Sequence, residues 1–129
     1  MKESSAVISL GSNINARRNF ESALQLLAGY FKVGTVSSFV TTRPIGITDQ
    51  PDFLNGAVLI RTEKSRDEVR VILKQIEDQL GRDRSAPKFG PRTIDLDIVV
   101  WNKEVVDNDY YERDFLKKSV DEVLNGQIS

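Results

Sequence analysis

The chain has 129 residues, 40% hydrophobic and 29% charged, with 18 Lys and Arg against 19 Asp and Glu and a formal net charge of −1. That length and balance fit one globular domain, residues 1–129, with room for a core and no global pull toward nucleic acid or acidic lipid. With neither cysteine nor histidine, the sequence excludes disulfides, thiolate nucleophiles, His–Cys zinc sites and histidine general bases.

No apolar run approaches a membrane span, and the opening "MKESSAVISL" lacks the longer apolar region and cleavage site of a signal peptide. A cytoplasmic protein without membrane partners is expected. Residues 6–10, "AVISL", predict a strand broken at Gly11 to Asn13. Phe20, Ala23, Leu24, Leu27 and Phe31 then share one face of a 3.6-residue period, with Asn13 or Asn15 placed to cap the helix and Gly34 just past its end. A second strand is predicted from about Thr35 to Thr42, stopped by Pro44 and Gly46, and a third in "FLNGAVLIRT". Gly56 inside the third marks a bulge or a close backbone approach.

Ser65 and Glu68 have capping-box spacing before a stripe of Val69, Ile72, Leu73, Ile76 and Leu80, closed by Gly81. Glu77 lies at the border of that stripe, where a surface acid is the plain expectation. The loop "GRDRSAPKFGPR" sets four basic side chains, Arg82, Arg84, Lys88 and Arg92, against the single acid Asp83. It leads into the strand "TIDLDIVVW", then "NKEVV" as a turn and short return strand, then the helical tail "DYYERDFLKKSVDEVLNG". In that tail Phe115, Leu116, Val120, Val123 and Leu124 are spaced for one face. The order β-α-β-β-α-β with a C-terminal extension predicts a ferredoxin-like α+β sheet with helices packed on it.

Strands are depleted in Asp, yet Asp95 and Asp97 alternate onto one strand face, roughly 6.5–7 Å apart, while Leu96 and Ile98 turn to the other. Two such carboxylates repel unless a cation joins them. Hard divalent ions with oxygen ligands fit, and paired Mg²⁺ ions are usual in phosphoryl chemistry. An isolated D-x-D is more often a solvated face, or a partner for residues such as Arg92 and Lys103. Here a basic loop enters beside it, and phosphoryl transfer needs metal and guanidinium together. No GxxxxGK[ST] or GxGxxG accompanies it, which argues against a Walker ATPase or a Rossmann enzyme.

"LGSNINARRNFESAL", "VSSFVTTRPIGITDQPDFLNGAVLI", "IEDQLGR" and "FGPRTIDLDIVVWNKEVV" together resemble 6-hydroxymethyl-7,8-dihydropterin pyrophosphokinase of folate biosynthesis, from about Val7 to Val106. The resemblance implies transfer of pyrophosphate from MgATP to the pterin hydroxymethyl group, releasing AMP. It implies two Mg²⁺ ions on Asp95 and Asp97, and Arg82 and Arg92 as catalytic phosphate ligands. Arg84 and Lys88 would assist from a mobile loop, with Glu77 and Ile98 at the ATP. Asn55 would read the pterin edge, Thr42, Pro44 and Ile45 would line its pocket, and Phe53 and Phe89 would stand where relatives often carry Tyr and Trp.

The C-terminal end departs from the pattern. The family runs through a His-containing "PH" segment to an Arg-x-Phe motif and a "PL" stretch, whereas this chain passes from Asp107 to "DYYERDFLKKSVDEVL" and ends earlier than most relatives. "ERDFL" laid on Arg-x-Phe makes Arg113 a phosphate ligand and Phe115 a second face of the pterin sandwich. The alternative is that Phe115 belongs to the apolar face of a C-terminal helix. Tyr110 or Tyr111 is the candidate to share the phosphate contact that the histidine makes in relatives. Two functions follow as expectations: an active pyrophosphokinase, favoured as a monomer, or a degenerate paralogue that binds pterin or nucleotide without turnover. An RNA-binding sheet is disfavoured, because no strand carries an RNP-like aromatic motif.

Overall fold

A computed structural model describes residues 2–125. In chain order the elements are β1 (Ser4–Ser12), α1 (Ala16–Tyr30), β2 (Lys32–Val36), β3 (Val40–Thr42), β4 (Phe53–Thr62), α2 (Arg66–Gln79), β5 (Asp95–Trp101), β6 (Glu104–Val105), α3 (Asp109–Glu112) and α4 (Asp114–Asn125). Every strand pairing is antiparallel, in the order β2-β4-β1-β5-β6, with β3 also on β4. The core order β2-β4-β1-β5 is that of the expected ferredoxin-like sheet.

Alternation along β1 sorts the layers. Ala6, Ile8 and Leu10 face α1 and α2 and join Phe20, Leu27, Ile72 and Ile76 in the larger core. Val7 faces the other way, where Val99, Val100, Leu116, Val120 and Val123 form a smaller core under α4. The C-terminal extension is therefore a third layer, on the sheet face opposite the first two helices. Because α4 covers only part of that face, Ser9, Gly11, Asn55, Asp95 and Asp97 are left lining a cavity. Gly126, the last residue of the predicted tail, lies outside the described residues.

Several local expectations need correction. The strand predicted over residues 35–42 is two strands, interrupted at 37–39 by a register shift. There the Ser37 backbone N–H donates to the Ala57 carbonyl (2.8 Å) while the Ser37 hydroxyl accepts from the Ala57 N–H (2.8 Å), so a side chain replaces a ladder bond. The break turns Phe39 inward, edge-on to Phe20 at 4.9 Å. Gly56 is needed opposite it: a Cβ there would meet the Phe39 ring at 3.1 Å, which makes this glycine a close approach and puts the irregularity on the neighbouring strand. β1 runs on through Gly11 to Ser12, because both residues stay in register with β4.

Helix α1 follows Asn15, whose backbone is left-handed (φ 44°) and whose side chain makes no cap. Gly34 lies within β2, since α1 ends at Tyr30 and Phe31 is already extended. By contrast, the Ser65–Glu68 capping box of α2 has both of its bonds. The helix closes with the Gly81 N–H on the Asp78 carbonyl and the Arg82 N–H on the Glu77 carbonyl, the paired bonds of a Schellman motif around Gly81 at φ 86°. Asn102 and Lys103, at φ 48° and 71°, make the tight turn from β5 into β6.

Candidate active site

Register builds the site before any side chain is considered. Gly11 pairs with Asn55 on one side and Asp95 on the other; Ser9 pairs with Ala57 and Asp97. Neighbouring strands lie about 4.8 Å apart, so Asn55 and Asp95 flank Gly11 at roughly 10 Å. Gly11 leaves the space that the Asn55 amide fills: a Cβ would sit 3.3 Å from its Oδ1. The Asn55 Nδ2 donates to the Thr42 hydroxyl at 2.7 Å, which fixes the amide orientation.

Two cavities meet here. One, of about 290 Å³, is lined by Thr42, Ile45, Phe53, Asn55, Phe89 and Phe115 together with Lys88, Arg92, Arg113, Asp95 and Asp97. The second, of about 540 Å³, runs between α2 and β5 and is lined by Arg66, Arg70, Leu73, Lys74, Leu96, Asp97, Ile98, Val106, Asp107 and Asn108. Asp97 lines both.

The acids are held against their preference. Asp97 makes no ion pair among the described residues, and its pKa is pushed up to about 6, first by burial, then by Asp95 and Glu77. The Asp95 carboxyl is also raised, by burial, against the pull of Arg82 and Arg92. Arg82 Nη1 stands 3.1 Å from Asp95 Oδ1, too poorly aligned for a hydrogen bond. The buried Nε and Nη1 of Arg82 therefore keep unused donors, the condition of a guanidinium awaiting an anion. No three acidic side chains converge among the described residues. Two carboxylates suffice for Mg²⁺, which binds through one or two of them with substrate phosphates and water completing its shell.

The sequence model of the 7,8-dihydro-6-hydroxymethylpterin-pyrophosphokinase (HPPK) family matches residues 7–125. The chain belongs to this family. A Bacillus subtilis 2-amino-4-hydroxy-6-hydroxymethyldihydropteridine pyrophosphokinase is 42% identical over 107 residues, covering 81% of this chain and 64% of the relative. An enzyme of the same name from Haemophilus influenzae is 36% identical over 81% of this chain and 66% of its own length. A folate synthesis bifunctional protein of Arabidopsis thaliana is 40% identical over 80% of this chain and 22% of its own. The chain thus spans less than two thirds of the length of these relatives.

Within this HPPK family member the predicted residues separate into groups. Thr42, Ile45, Phe53, Asn55, Phe89, Phe115, Lys88, Arg92, Arg113, Asp95 and Asp97 share the first cavity, while Pro44 is not among its lining residues. Phe115 lines the cavity and also packs against the α4 core. Ile98 packs on the larger core and lines the second cavity. Glu77 is no surface acid: at 1% exposure its Oε2 accepts the Leu96 N–H at 2.8 Å, and its Oε1 lies 3.2 Å from Arg84 and 3.6 Å from Lys74. Arg84 is folded back onto α2, bonded to Asp78, Glu77 and the Lys74 carbonyl.

Arg92 is 7% exposed and donates to the carbonyls of Lys88, Gly90 and Pro91, so most of its donors organise its own loop, with Nε 3.7 Å from Asp95. Lys103 forms no pair with the two acids. The Tyr110 hydroxyl donates to Asp121 at 2.6 Å, which also takes Lys117 at 2.8 Å. Tyr111 is 67% exposed and lines neither cavity.

Sequence reasoning missed the bracket that joins the three loops around the first cavity. The Asn13 Oδ1 accepts the Arg92 N–H at 2.8 Å, and its Nδ2 donates to Gln50 Oε1 (2.9 Å) and the Pro51 carbonyl (3.0 Å). Gln50 in turn donates to the carbonyls of Ile47 (2.7 Å) and Phe89 (2.6 Å). The only available signal was Asn13 itself, which looked like a helix cap. Gly46, at φ 80°, completes the wall by admitting the Phe89 ring, which would stand 3.0 Å from a Cβ. Gln50→Ala should cost about 1–2 kcal/mol and speed amide exchange at Phe89 and Gly90 by about tenfold or more. Exchange rates confined to wild-type values would mean the bracket holds nothing.

Proposed function

We propose that the chain transfers pyrophosphate from ATP to the hydroxymethyl group of 6-hydroxymethyl-7,8-dihydropterin, releasing AMP. The observation that carries this reading is Asp97, an unpaired carboxylate shared by an aromatic cavity with amide recognition and a second cavity beside α2. The pterin occupies the first, against Phe53, Phe89 and Phe115, with the Asn55 Oδ1 as acceptor. Thr42, Pro44 and Ile45 complete its surroundings. ATP occupies the second, with its nucleoside at Ile98 and its phosphates running toward Asp97.

Two Mg²⁺ ions on Asp95 and Asp97 would neutralise phosphate charge and orient it for displacement. The unused Arg82 donors meet the charge that develops on the phosphates, and Arg92 and Arg113 face the same space. Lys88 and Arg84 add cations from the loop, the latter after release from α2, and Glu77 fixes the strand that carries both acids. The pterin hydroxyl oxygen bonds to the β-phosphorus while the bond from that phosphorus to the α-β bridging oxygen breaks. AMP leaves with that oxygen, and the hydroxyl proton passes to phosphate or solvent. Alignment supplies most of the acceleration, since so loose a transition state demands little of a base.

Retention of the acids, Arg82 and both cavities argues against the degenerate binder, even in a chain without histidine. Pterin fluorescence titration tests the pocket. Asn55→Ala should weaken pterin binding about tenfold or more, the cost of about one or two buried hydrogen bonds, and leave ATP affinity unchanged. Equal pterin affinity in both proteins would remove the pterin from this cavity.

A further inference from the structure

The second cavity carries cations to which the proposed ATP placement assigns no role. Along α2, Arg66, Arg70 and Lys74 fall at i, i+4 and i+8 and line the same wall. The steps are about 6 Å each, about 12 Å in all. Lys74, at the end near Asp97, is paired with Glu77 at 3.6 Å. Neither the Arg66 nor the Arg70 guanidinium has a hydrogen-bond or ion-pair partner among the described residues. Like charges four apart on a helix repel, and cations in its first turns oppose the helix dipole. Both choices work against the helix and suit an anion lodged in the cavity. Asp107 and Asn108 line the same cavity, so the two arginines face one further acid beyond Asp97.

We infer that Arg66 and Arg70 form a second anion subsite, and that the cavity accepts a nucleotide bearing a phosphate on its ribose in addition to its 5′ chain. The inference rests on the nucleotide reading of this cavity. The 5′ phosphates point to Asp97 and Arg82; the ribose phosphate is forked by two guanidiniums, whose planar donors match phosphate oxygens in pairs. Such a ligand would compete with ATP for the cavity and act as an inhibitor of turnover.

Calorimetric titration of the full chain with AMP, adenosine 3′,5′-bisphosphate and adenosine 2′,5′-bisphosphate decides it. At least one bisphosphate should bind about tenfold or more tightly than AMP. In the double variant Arg66→Ala/Arg70→Ala that preference should fall to about one, with the AMP affinity moving less than about threefold. Bisphosphates no tighter than AMP in the wild-type chain would overturn the inference, as would a variant that weakens AMP and the bisphosphates in equal ratio. Binding is read without turnover, so these outcomes stand apart from the pyrophosphokinase reading, which fails instead if no AMP is formed from ATP and pterin.

Discussion

Asp97→Asn should eliminate AMP formation, by on the order of 10²–10³-fold at least, while making the ligand-free protein more stable. The two effects have one cause. Asp97 is held near Asp95 with no ion pair of its own, and burial and repulsion raise its pKa from 3.8 to about 6. A carboxyl with a raised folded-state pKa favours the native state when protonated. Its contribution is therefore fully present below about pH 4, falls as pH rises toward 6, and is flat above. The wild-type chain should lose thermal stability across that window and the variant should lose less. At pH 7.5 the variant should melt about 2–4 °C higher, corresponding to relief of about 0.5–1 kcal/mol of carboxylate repulsion. Mg²⁺ should stabilise the wild-type chain at pH 7.5 more than at pH 5, because protons compete for the same oxygens. A variant that unfolds, or melts lower at pH 7.5 than the wild type, would mean Asp97 is a structural residue.

Glu77→Ala should destabilise the fold by about 2–3 kcal/mol. It deprives the buried Leu96 N–H of its 2.8 Å acceptor at the residue between the two acids, and it removes the carboxylate that pairs with Arg84 and Lys74. Activity should fall with it, since Leu96 sets the position of Asp95 and Asp97. Glu77→Gln separates the two roles: its amide oxygen can still accept from Leu96, so it should lose only about 1 kcal/mol. It should also move the Asp97 titration below about 6, because the Glu77 charge is one of the groups raising it. Denaturant midpoints give the first result and pH-dependent NMR of the Asp97 carboxyl gives the second. Equal destabilisation by both substitutions would mean that the charge, and not the acceptor, holds the strand.

How far the sequence could be read follows from the range of each interaction. The α2 capping box was legible because both partners lie within four residues. The shared face of Asp95 and Asp97 was legible because strand alternation is local, and their register with Ser9 and Gly11 confirms it. The break at 37–39 was not, since it depends on the Ser37 hydroxyl reaching Ala57 on another strand. Nor was the shift near Val99, which turns both Val99 and Val100 toward α4. Asn13 was misread because capping and loop bridging use the same amide, and only the arrival of Gln50 and Arg92 decides between them. Glu77 sat at the edge of an apolar stripe, where a helical wheel cannot tell surface from burial under the neighbouring strand.

The proposed reaction moves pyrophosphate, and not a single phosphoryl group, from ATP to the pterin. Purified protein incubated with MgATP and 6-hydroxymethyl-7,8-dihydropterin, with ATP, ADP, AMP and pterin products separated and counted, measures it directly. One AMP per pterin diphosphate, absent in the Asp97→Asn control, is the expected result. ADP as the nucleotide product, or no AMP from a folded chain that binds both ligands, would contradict it.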